Sequence, residues 1–572
     1  KNGNAIYSED NLTVDEGHFT NGNLVKKQSF YGTNKYIFMY DNQHNIFLSF
    51  DNGKLLVYRD SVASPIEYID LMSTSEVVDV TSDIENLYVA MTDGSIKVID
   101  AKSFELKLTL HIFKKNKSYA YLFLTPEGYF SAPKEVIRNF HFVKGFKTFP
   151  LLNYEIFLNR PDIILDRLGF ADQASIDIYK QAHLKRLKRN GLTPKVDLLS
   201  LPTPEIKLVN ANEIPEATTD KELILELKTS KDSRKIITYI NSVPVATTIP
   251  NEDVNIMEQR ILLNAGTNKI SIIARNKNGV ESDPENFEII NTNTSQTSKT
   301  YFIGIGVSKY QDSTMTLTYA DKDVHALTKV FKDMYGENLV VDTLTNNTAT
   351  YSNITALKER LKSTSVNDRI ILSFSGHGLV DENLDFYFSP YEMDFSNPAL
   401  NGFSYEQMQD LLTDIPARKK LMLIDACHSG ELDNEADYNK IIVDNTNISS
   451  NIPKGTKGSI AIGDNKSGNL QNSFDLMRSL FYDLDRGNGS YVISAAGGLE
   501  YAFEDDTWRN GVFTYSIIQG LNELRGEENG NDGIITVSEL KNYVEDKVQH
   551  LTKGHQKPTS RSENIEWDWQ LN

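Results

Sequence analysis

The spacing of apolar and polar residues changes character along the chain. Residues 1–150 contain short apolar stretches joined by Asn-Gly and Asp-Gly turns, a pattern typical of β-hairpins. Helical spacing follows in residues 151–200, and strand-like segments return in residues 201–292. In residues 298–560, continuous apolar runs alternate with helical patterns, as in a sheet that helices cover on both faces. The pattern predicts a multidomain protein with N-terminal all-β modules, a helical connector and a C-terminal α/β domain.

The first module contains an internal repeat. Residues 45–58 align with residues 86–99, each as strand, turn and strand, and Gly94 lies 41 residues after Gly53. This period resembles that of WD40-like propeller blades, ~40–45 residues. A propeller closes with ~4–8 blades, whereas two or three copies are visible here. We therefore expect a partial propeller, with further blades before Lys1 or an open edge that a partner covers. A plain antiparallel sandwich is the alternative.

The second β module, residues 201–292, has several strand-like segments separated by turns rich in Asn and Gly. Their number and spacing resemble an immunoglobulin-like β-sandwich. The module has no cysteine pair, so the resemblance concerns architecture alone. No residue in it indicates chemistry, and we expect a spacer or an interaction module.

Two apolar runs in the α/β domain each end in a reactive side chain. One run leads into Ser-Gly-His-Gly around His377, and the other into Asp-Ala-Cys-His-Ser-Gly around Cys427, the only cysteine. Chemistry in parallel sheets lies at the carboxyl ends of the strands, and a thiol needs a nearby base to form the thiolate. We predict His377 as general base and acid, Cys427 as nucleophile, and the amides of Gly378 and Cys427 as the oxyanion hole. Taken singly, each residue would more simply be a buried core side chain.

This constellation resembles the caspase-like cysteine peptidases, in which a histidine precedes the cysteine by about 50 residues. The spacing between His377 and Cys427 is 50 residues, and the flanking glycines look closest to metacaspases, paracaspases and their bacterial relatives. The resemblance covers roughly residues 300–555. It implies a caspase-like α/β fold and a cysteine endopeptidase activity.

Substrate specificity is predicted from the acids near the nucleophile. Asp425 lies two residues before Cys427 and therefore points to the same side of its strand. A carboxylate there would pair with a basic substrate side chain, and the resemblance to metacaspases implies cleavage after Arg or Lys. Glu500 or Glu504 would supply a second acid, although the family's usual run of acids is replaced here. Trp508 lies in a segment that we expect to cover the pocket.

A polar segment, residues 431–486, follows the nucleophile directly. Long segments of this kind inside a compact domain are typically functional or disordered. In caspase relatives, self-processing occurs in this region, which suggests a zymogen that processes itself. The basic residues that an acidic pocket could accept are Lys440, Lys454, Lys457, Lys466, Arg478 and Arg486.

Composition limits the partners and the location. The formal net charge of -19 disfavours nucleic acid and anionic membranes as partners, and no apolar run approaches ~20 residues. A single cysteine excludes an internal disulfide framework and suits a reducing compartment, so we expect a cytoplasmic protein. The expected partners are a protein substrate and a regulatory protein that binds the propeller or the immunoglobulin-like module.

Cofactors are not required by the predicted chemistry. One cysteine rules out a zinc site of the usual spacing. Residues 528–539 resemble a calcium loop only partly, because Gly530 occupies a ligand position. Glu539 fits better as part of a capping box with Thr536. We expect no cofactor and keep calcium as the alternative.

Two other functions remain open from the sequence. The caspase-like domain could be a non-catalytic scaffold, with the N-terminal modules carrying the function. The intact pair of His377 and Cys427 argues against that reading. The domain could also be a peptidase that prefers acidic residues.

Overall fold

The computed structural model describes a defined set of residues. These are residues 24–26, 38–41, 46–51, 54–59, 66–115, 118–132, 134–137, 139–144, 147–171, 173–189, 192, 203–251, 256–293, 298–381, 385–427, 456–457, 488–495, 502–526, 533–556, 558–561 and 567–572. The chain divides into two compact units, Lys1–Pro194 and Lys195–Asn572. No helix in the described ranges has the length and apolar composition that crossing a bilayer requires.

The first unit is built mainly from antiparallel strands that follow one another in sequence order. One sheet contains β1 (Leu24–Lys26), β2 (Phe38–Asp41), β3 (Ile46–Asp51), β4 (Lys54–Arg59) and β5 (Glu67–Asp70). A second contains β6 (Val77–Ser82), β7 (Asn86–Met91), β8 (Ser95–Asp100), β9 (Leu106–Lys115), β10 (Ser118–Leu124) and β11 (Phe130–Ser131). A separate hairpin pairs β12 (His141–Lys144) with β13 (Lys147–Pro150). The region is therefore largely β, as predicted, while its classification as WD40-like stays a prediction.

The sequence repeat corresponds to two hairpins, β3–β4 and β7–β8. Gly94 turns the second hairpin with φ +83°, a conformation that favours glycine. Apolar residues from both sheets, including Leu48, Val57, Leu87 and Val89, are buried in one shared cluster. The buried positions on these strands thus mark the strand faces that meet in this core.

Most helices of the first unit lie within residues 151–200, where the spacing predicts them, and one short helix precedes the hairpin of β12 and β13. They are α1 (Lys134–Ile137), α2 (Glu155–Leu158), α3 (Pro161–Leu168) and α4 (Gln173–Arg189). Pro161 starts α3, where its missing N–H costs nothing, and Gly169 ends it in a left-handed conformation. On α4, His183 is buried, and this burial, together with the charge of Arg186, lowers the pKa of its imidazole to about 3.

The second unit begins with two sheets that enclose one apolar core, here named the two-sheet module. Its sheets have the orders β14-β16-β19 and β15-β21-β20-β17-β18. The strands are β14 (Ile206–Leu208), β15 (Ala217–Thr218), β16 (Glu222–Thr229), β17 (Ser233–Ile240), β18 (Val243–Thr248), β19 (Met257–Leu262), β20 (Gly266–Asn276) and β21 (Glu285–Asn291). Leu225 from one sheet and Ile272 from the other are fully buried in the shared core. Its immunoglobulin-like classification stays a prediction.

The α/β domain follows and contains a mixed sheet in the order β23-β22-β24-β27-β29-β32. Its strands are β22 (Thr300–Gly306), β23 (Leu339–Thr345), β24 (Arg369–Val380), β25 (Phe386–Phe388), β26 (Phe403–Ser404), β27 (Lys419–Cys427), β28 (Thr456–Lys457), β29 (Tyr491–Ser494), β30 (Ala502–Asp505), β31 (Asn510–Gly511) and β32 (Thr559–Arg561). Its helices are α5 (Ala320–Tyr335), α6 (Tyr351–Leu361), α7 (Pro398–Asn401), α8 (Tyr405–Leu411), α9 (Val512–Glu523) and α10 (Val537–Leu551). Neighbouring strands from β23 to β29 run parallel, and β32 is antiparallel to β29.

Both faces of this sheet are covered, which explains the continuous apolar runs. On β24, Ile370 and Leu372 belong to the core cluster on one face, whereas Ile371 belongs to the cluster on the other. On β27, Met422 and Leu423 divide between the same two clusters. The side chains of residues 370–379 and 420–426 are therefore buried, whichever face they point to.

The two-sheet module contacts the α/β domain near the amino ends of β24 and β27. The Asn264 side-chain amide donates to the carbonyl of Val366 at 2.7 Å, and the Arg418 guanidinium donates to the Leu262 carbonyl and the Asn264 side-chain oxygen. Arg418 is only 4% exposed. The module is thus joined to the α/β domain by buried, directional hydrogen bonds.

A second contact between the same parts involves the residues just before β29. Gly489 has φ +79°, and a Cβ atom built there would lie 2.7 Å from a methyl carbon of Val243 in the two-sheet module. Next to it, the Asn488 carbonyl accepts a hydrogen bond from the buried Lys420 ammonium at 3.0 Å. Both the conformation and the space therefore favour glycine at position 489.

Candidate active site

His377 and Cys427 occupy facing positions on neighbouring parallel strands. The pairing of β24 with β27 aligns Ser375 with Asp425, Gly376 with Ala426 and His377 with Cys427. Neighbouring strands in a sheet are ~4.8 Å apart. The two backbones that carry the predicted base and nucleophile are therefore adjacent at the carboxyl end of the sheet.

The His377 imidazole is held by a loop that follows β22. Its Nε2 atom lies 2.9 Å from the carbonyl oxygen of Met315, and the side chain is 6% exposed. A carbonyl oxygen only accepts hydrogen bonds, so this contact places the proton on Nε2 and the lone pair of the neutral ring on Nδ1. The rings of Tyr310 and Phe395 pack against the imidazole at centroid distances of 5.3 and 5.8 Å.

The backbone around His377 is fixed as well. Its N–H donates to the Tyr310 hydroxyl at 2.9 Å, and a Cβ atom on Gly376 would lie 2.9 Å from the same oxygen. Tyr310, Met315 and Phe395 were missed in the sequence analysis. Met315 contacts the imidazole through its backbone carbonyl, a group that every residue has, so the sequence could not single it out. Tyr310 and Phe395 are aromatic residues of the kind found in any core.

The amide of Gly378 has a defined direction. Gly378 faces Phe388 in the antiparallel pair of β24 and β25, and Ser389 N–H donates to the His377 carbonyl at 3.0 Å. In this pattern Gly378 and Phe388 form a pair without mutual hydrogen bonds, so the Gly378 N–H points away from β25. Ser375 directs its carbonyl to the β22 side of the strand, where it accepts from Val307. By alternation, Gly378 directs its N–H to the side where β27 lies.

Asp425 is buried beneath this edge of the sheet. It is 1% exposed, and one carboxylate oxygen accepts from the Thr514 hydroxyl at 2.7 Å. Thr514 lies in the first turn of α9. Asp425 lies two residues before Cys427 on β27, and its placement on the same side of the strand as the nucleophile stays a prediction.

A second buried carboxylate, Asp323 on α5, lies next to the same strands. One of its oxygens accepts from the Ser375 hydroxyl at 2.7 Å, and the other accepts from Gly511 N–H at 2.9 Å and from the Asn510 side chain at 3.0 Å. Because Ser375 pairs with Asp425 in register, both acids belong to one neighbourhood. The sequence analysis missed Asp323, since an acid in the first turn of a helix normally complements the helix dipole.

A family model matches most of the domain that carries this site. Residues 303–567 match the family model for the caspase domain. This match supports a caspase-like cysteine peptidase. No curated protein matches the chain. A crystal structure of a protein from Geobacter sulfurreducens is similar, with 16% identity, a TM-score of 0.31, and coverage of 46% of this chain and 92% of that chain.

Two further predicted site residues of the caspase domain have identifiable surroundings. Glu504 on β30 is buried, and its two carboxylate oxygens accept from the backbone N–H groups of Thr318 at 2.8 Å and Tyr319 at 3.2 Å. Trp508 is partly buried and packs against the apolar cluster of α9 and α10. Glu500 lies outside the described residues. A substrate-binding role for these three residues stays a prediction.

The described part of the caspase-like domain was predicted to need no metal, with calcium as the alternative. Within that part, no group of three or more His, Cys, Asp or Glu side chains is arranged to hold a metal ion. Glu539 accepts from the Thr536 N–H at 2.9 Å, while the Thr536 hydroxyl accepts from the Glu539 N–H at 3.2 Å. The capping box at the start of α10 is thus confirmed, and residues 528–532 of the calcium-like segment lie outside the described residues.

Proposed function

We propose that the protein is a cysteine endopeptidase in which His377 and Cys427 form the catalytic dyad. The observation that carries this proposal is the register of β24 and β27, which brings the two residues side by side. The hydrogen bond from Nε2 to the Met315 carbonyl adds to it. That contact leaves Nδ1 as the basic nitrogen, which is the atom a thiol proton would reach.

The reaction proceeds through an acyl-enzyme. Nδ1 of His377 takes the proton of the Cys427 thiol, and the thiolate attacks the scissile carbonyl carbon. The Gly378 and Cys427 amides are the proposed donors to the resulting oxyanion, and both must turn from the β24–β27 ladder to reach it. The imidazolium then gives its proton to the leaving amine as the C–N bond breaks. A water molecule, deprotonated by His377, hydrolyses the thioester and releases the acid product and the free thiol.

The proposed specificity is for a basic residue before the scissile bond. Asp425 and Asp323 supply two buried carboxylates around Ser375, next to the strands that carry the dyad. Both carboxylates already accept hydrogen bonds within the domain, and a basic substrate side chain would add an opposite charge beside them. An Arg or Lys side chain in this neighbourhood would supply that charge, and arginine would also offer a planar, bidentate donor group.

A panel of peptide substrates tests both the activity and the specificity. Matched peptides with Arg, Lys, Asp or Ala before the scissile bond are incubated with the purified protein and with Cys427→Ala and His377→Ala variants. We expect hydrolysis of the Arg and Lys peptides and a loss of at least ~1,000-fold in each variant. Preferential hydrolysis of the Asp peptide would contradict the proposed basic specificity and favour a peptidase that prefers acidic residues.

Covalent labelling separates an enzyme from a scaffold. An arginyl peptide with an electrophilic carbonyl should modify the wild-type chain once, at Cys427, and leave the His377→Ala variant largely unlabelled. Absence of both labelling and hydrolysis in the wild type would favour the non-catalytic alternative. Labelling by the probe reports on the Cys427 thiol alone because the chain has one cysteine.

Regulation by the N-terminal modules and by residues 431–486 is part of the proposal. Most of that segment lies outside the described residues, and the part that is described, β28, pairs with β30 of the caspase domain. Incubating the wild type beside Cys427→Ala, with mass spectrometry of the fragments, tests self-processing. Identical fragments from both proteins would contradict self-processing by Cys427.

A further inference from the structure

Glu504 has the surroundings of a structural anchor. Its carboxylate is 4% exposed and accepts the backbone N–H groups of two consecutive residues, Thr318 and Tyr319. Hydrogen bonds from N–H groups to a charged acceptor are stronger than those between neutral groups. Two of them in a buried site fix the position of the backbone that donates them.

The anchored backbone belongs to the loop that holds the catalytic imidazole. Met315, whose carbonyl lies 2.9 Å from Nε2 of His377, is three residues before Thr318. The loop closes on itself through the hydrogen bond from Leu317 N–H to the Ser308 carbonyl at 2.8 Å. Glu504 therefore holds the carboxyl end of a closed loop.

The amino end of the same loop has a separate anchor. The side-chain oxygen of Asn346 accepts the backbone N–H groups of Ser308 and Lys309, each at 2.9 Å. The Ser308 hydroxyl in turn donates to Asp321 at 2.7 Å. With both ends fixed, the position of the Met315 carbonyl depends on Asn346 at one end and on Glu504 at the other.

We propose that Glu504 is a positioning residue for the His377–Cys427 reaction, holding the Met315 carbonyl against the imidazole. This inference rests on the proposed function. It gives Glu504 a task different from the substrate-binding role predicted from the sequence. A residue that contacts substrate would act mainly on substrate affinity, whereas a residue that orients the base acts on turnover and on the protonation of the dyad.

The kinetic test compares Glu504→Gln and Glu504→Ala with Glu539→Gln. The control residue also accepts a backbone N–H, but it does so at the start of α10. We expect Glu504→Gln to lower kcat roughly tenfold, the value of about one hydrogen bond to a charged group, with KM for Arg and Lys peptides unchanged within about twofold. The control should keep wild-type kcat. A raised KM with unchanged kcat would overturn the proposal in favour of a pocket acid.

A second measurement does not depend on peptidase activity. The rate of alkylation of Cys427 by iodoacetamide is followed against pH in the same proteins, with circular dichroism to confirm folding. A misplaced Met315 carbonyl stabilises the imidazolium less, so the thiolate should form at higher pH in both Glu504 variants and be unchanged in Glu539→Gln. Superimposable profiles in folded variants would overturn the inference. Absence of Cys427-dependent hydrolysis in the wild type would instead reject the proposed function and leave the alkylation result to decide the positioning role.

Discussion

The hydroxyl oxygen of Tyr310 accepts the backbone N–H of His377 at 2.9 Å, while its ring packs against the imidazole of the same residue. One side chain thus fixes both the backbone and the ring of the proposed base. The glycine before His377 leaves room for this contact, because a Cβ there would lie 2.9 Å from the tyrosine oxygen.

Tyr310→Phe should separate these two contributions. The variant keeps the ring packing but loses the acceptor, which leaves the His377 N–H unpaired and costs about 1 kcal/mol. We expect kcat to fall by about fivefold with KM unchanged, since the imidazole moves relative to the thiol. Steady-state kinetics on an Arg peptide provide the measurement. A Tyr405→Phe variant, which alters a tyrosine on α8 instead, is the control.

Asp425→Asn and Asp323→Asn test the basic specificity. Each variant removes one negative charge while preserving size, so kcat/KM for Arg and Lys peptides should fall by about 100-fold, a loss of ~2–3 kcal/mol. Alkylation of Cys427 by iodoacetamide, which needs no substrate side chain, should change far less. Equal losses with basic and neutral peptides would contradict a role in recognising the substrate side chain.

Arg418→Met tests the contact between the two-sheet module and the caspase domain. It leaves the Leu262 carbonyl and the Asn264 side-chain oxygen without the buried guanidinium, and we expect a loss of about 2–4 kcal/mol in the free energy of unfolding. Urea unfolding monitored by fluorescence gives this value. Arg260→Met is the matched control because its pair with Glu258 is exposed, and it should cost below ~0.5 kcal/mol.

His183 predicts an acid-dependent loss of stability in the first unit. Its pKa is about 3 in the folded chain and ~6.5 in the unfolded chain. Between these values the unfolded chain binds the extra proton, so the stabilising contribution is complete above pH ~6.5 and is lost as the pH falls towards 3. The expected slope is up to about 1.4 kcal/mol per pH unit.

Hydrogen exchange of α4 between pH 7 and pH 4 measures this effect locally. After correction for the intrinsic pH dependence of exchange, protection should fall on acidification in the wild type. It should fall less in His183→Gln. The exposed His141 on β12 offers the control, since His141→Gln should follow the wild type. A wild-type profile that stays flat would contradict the burial of a neutral imidazole at this position.

The sequence was most informative about the buried strands of the α/β domain. The runs ending at His377 and Cys427 have apolar residues on consecutive positions between glycines and helical patterns, which is typical of strands covered on both faces. The burial of both faces explains why residues 370–379 and 420–426 contain so few charged side chains.

The remaining parts of the site depend on groups with no distinctive sequence signal. The Met315 carbonyl is a backbone atom that every residue possesses, and Asp323 resembles an ordinary acid at a helix start. Glu504 was proposed, with Glu500 as the other choice, as a second pocket acid from the family resemblance, but its hydrogen bonds run to backbone N–H groups distant in sequence. The contact of Asn264 with Arg418 likewise joins polar residues whose spacing contains no periodic pattern.

The close approach of Gly489 to Val243 has an evolutionary consequence. The glycine can gain a side chain only if the valine becomes smaller and the backbone leaves its positive φ. In homologous chains that keep both the two-sheet module and the caspase domain, these two positions should change together. Chains that lack the module should accept larger residues at the position corresponding to 489.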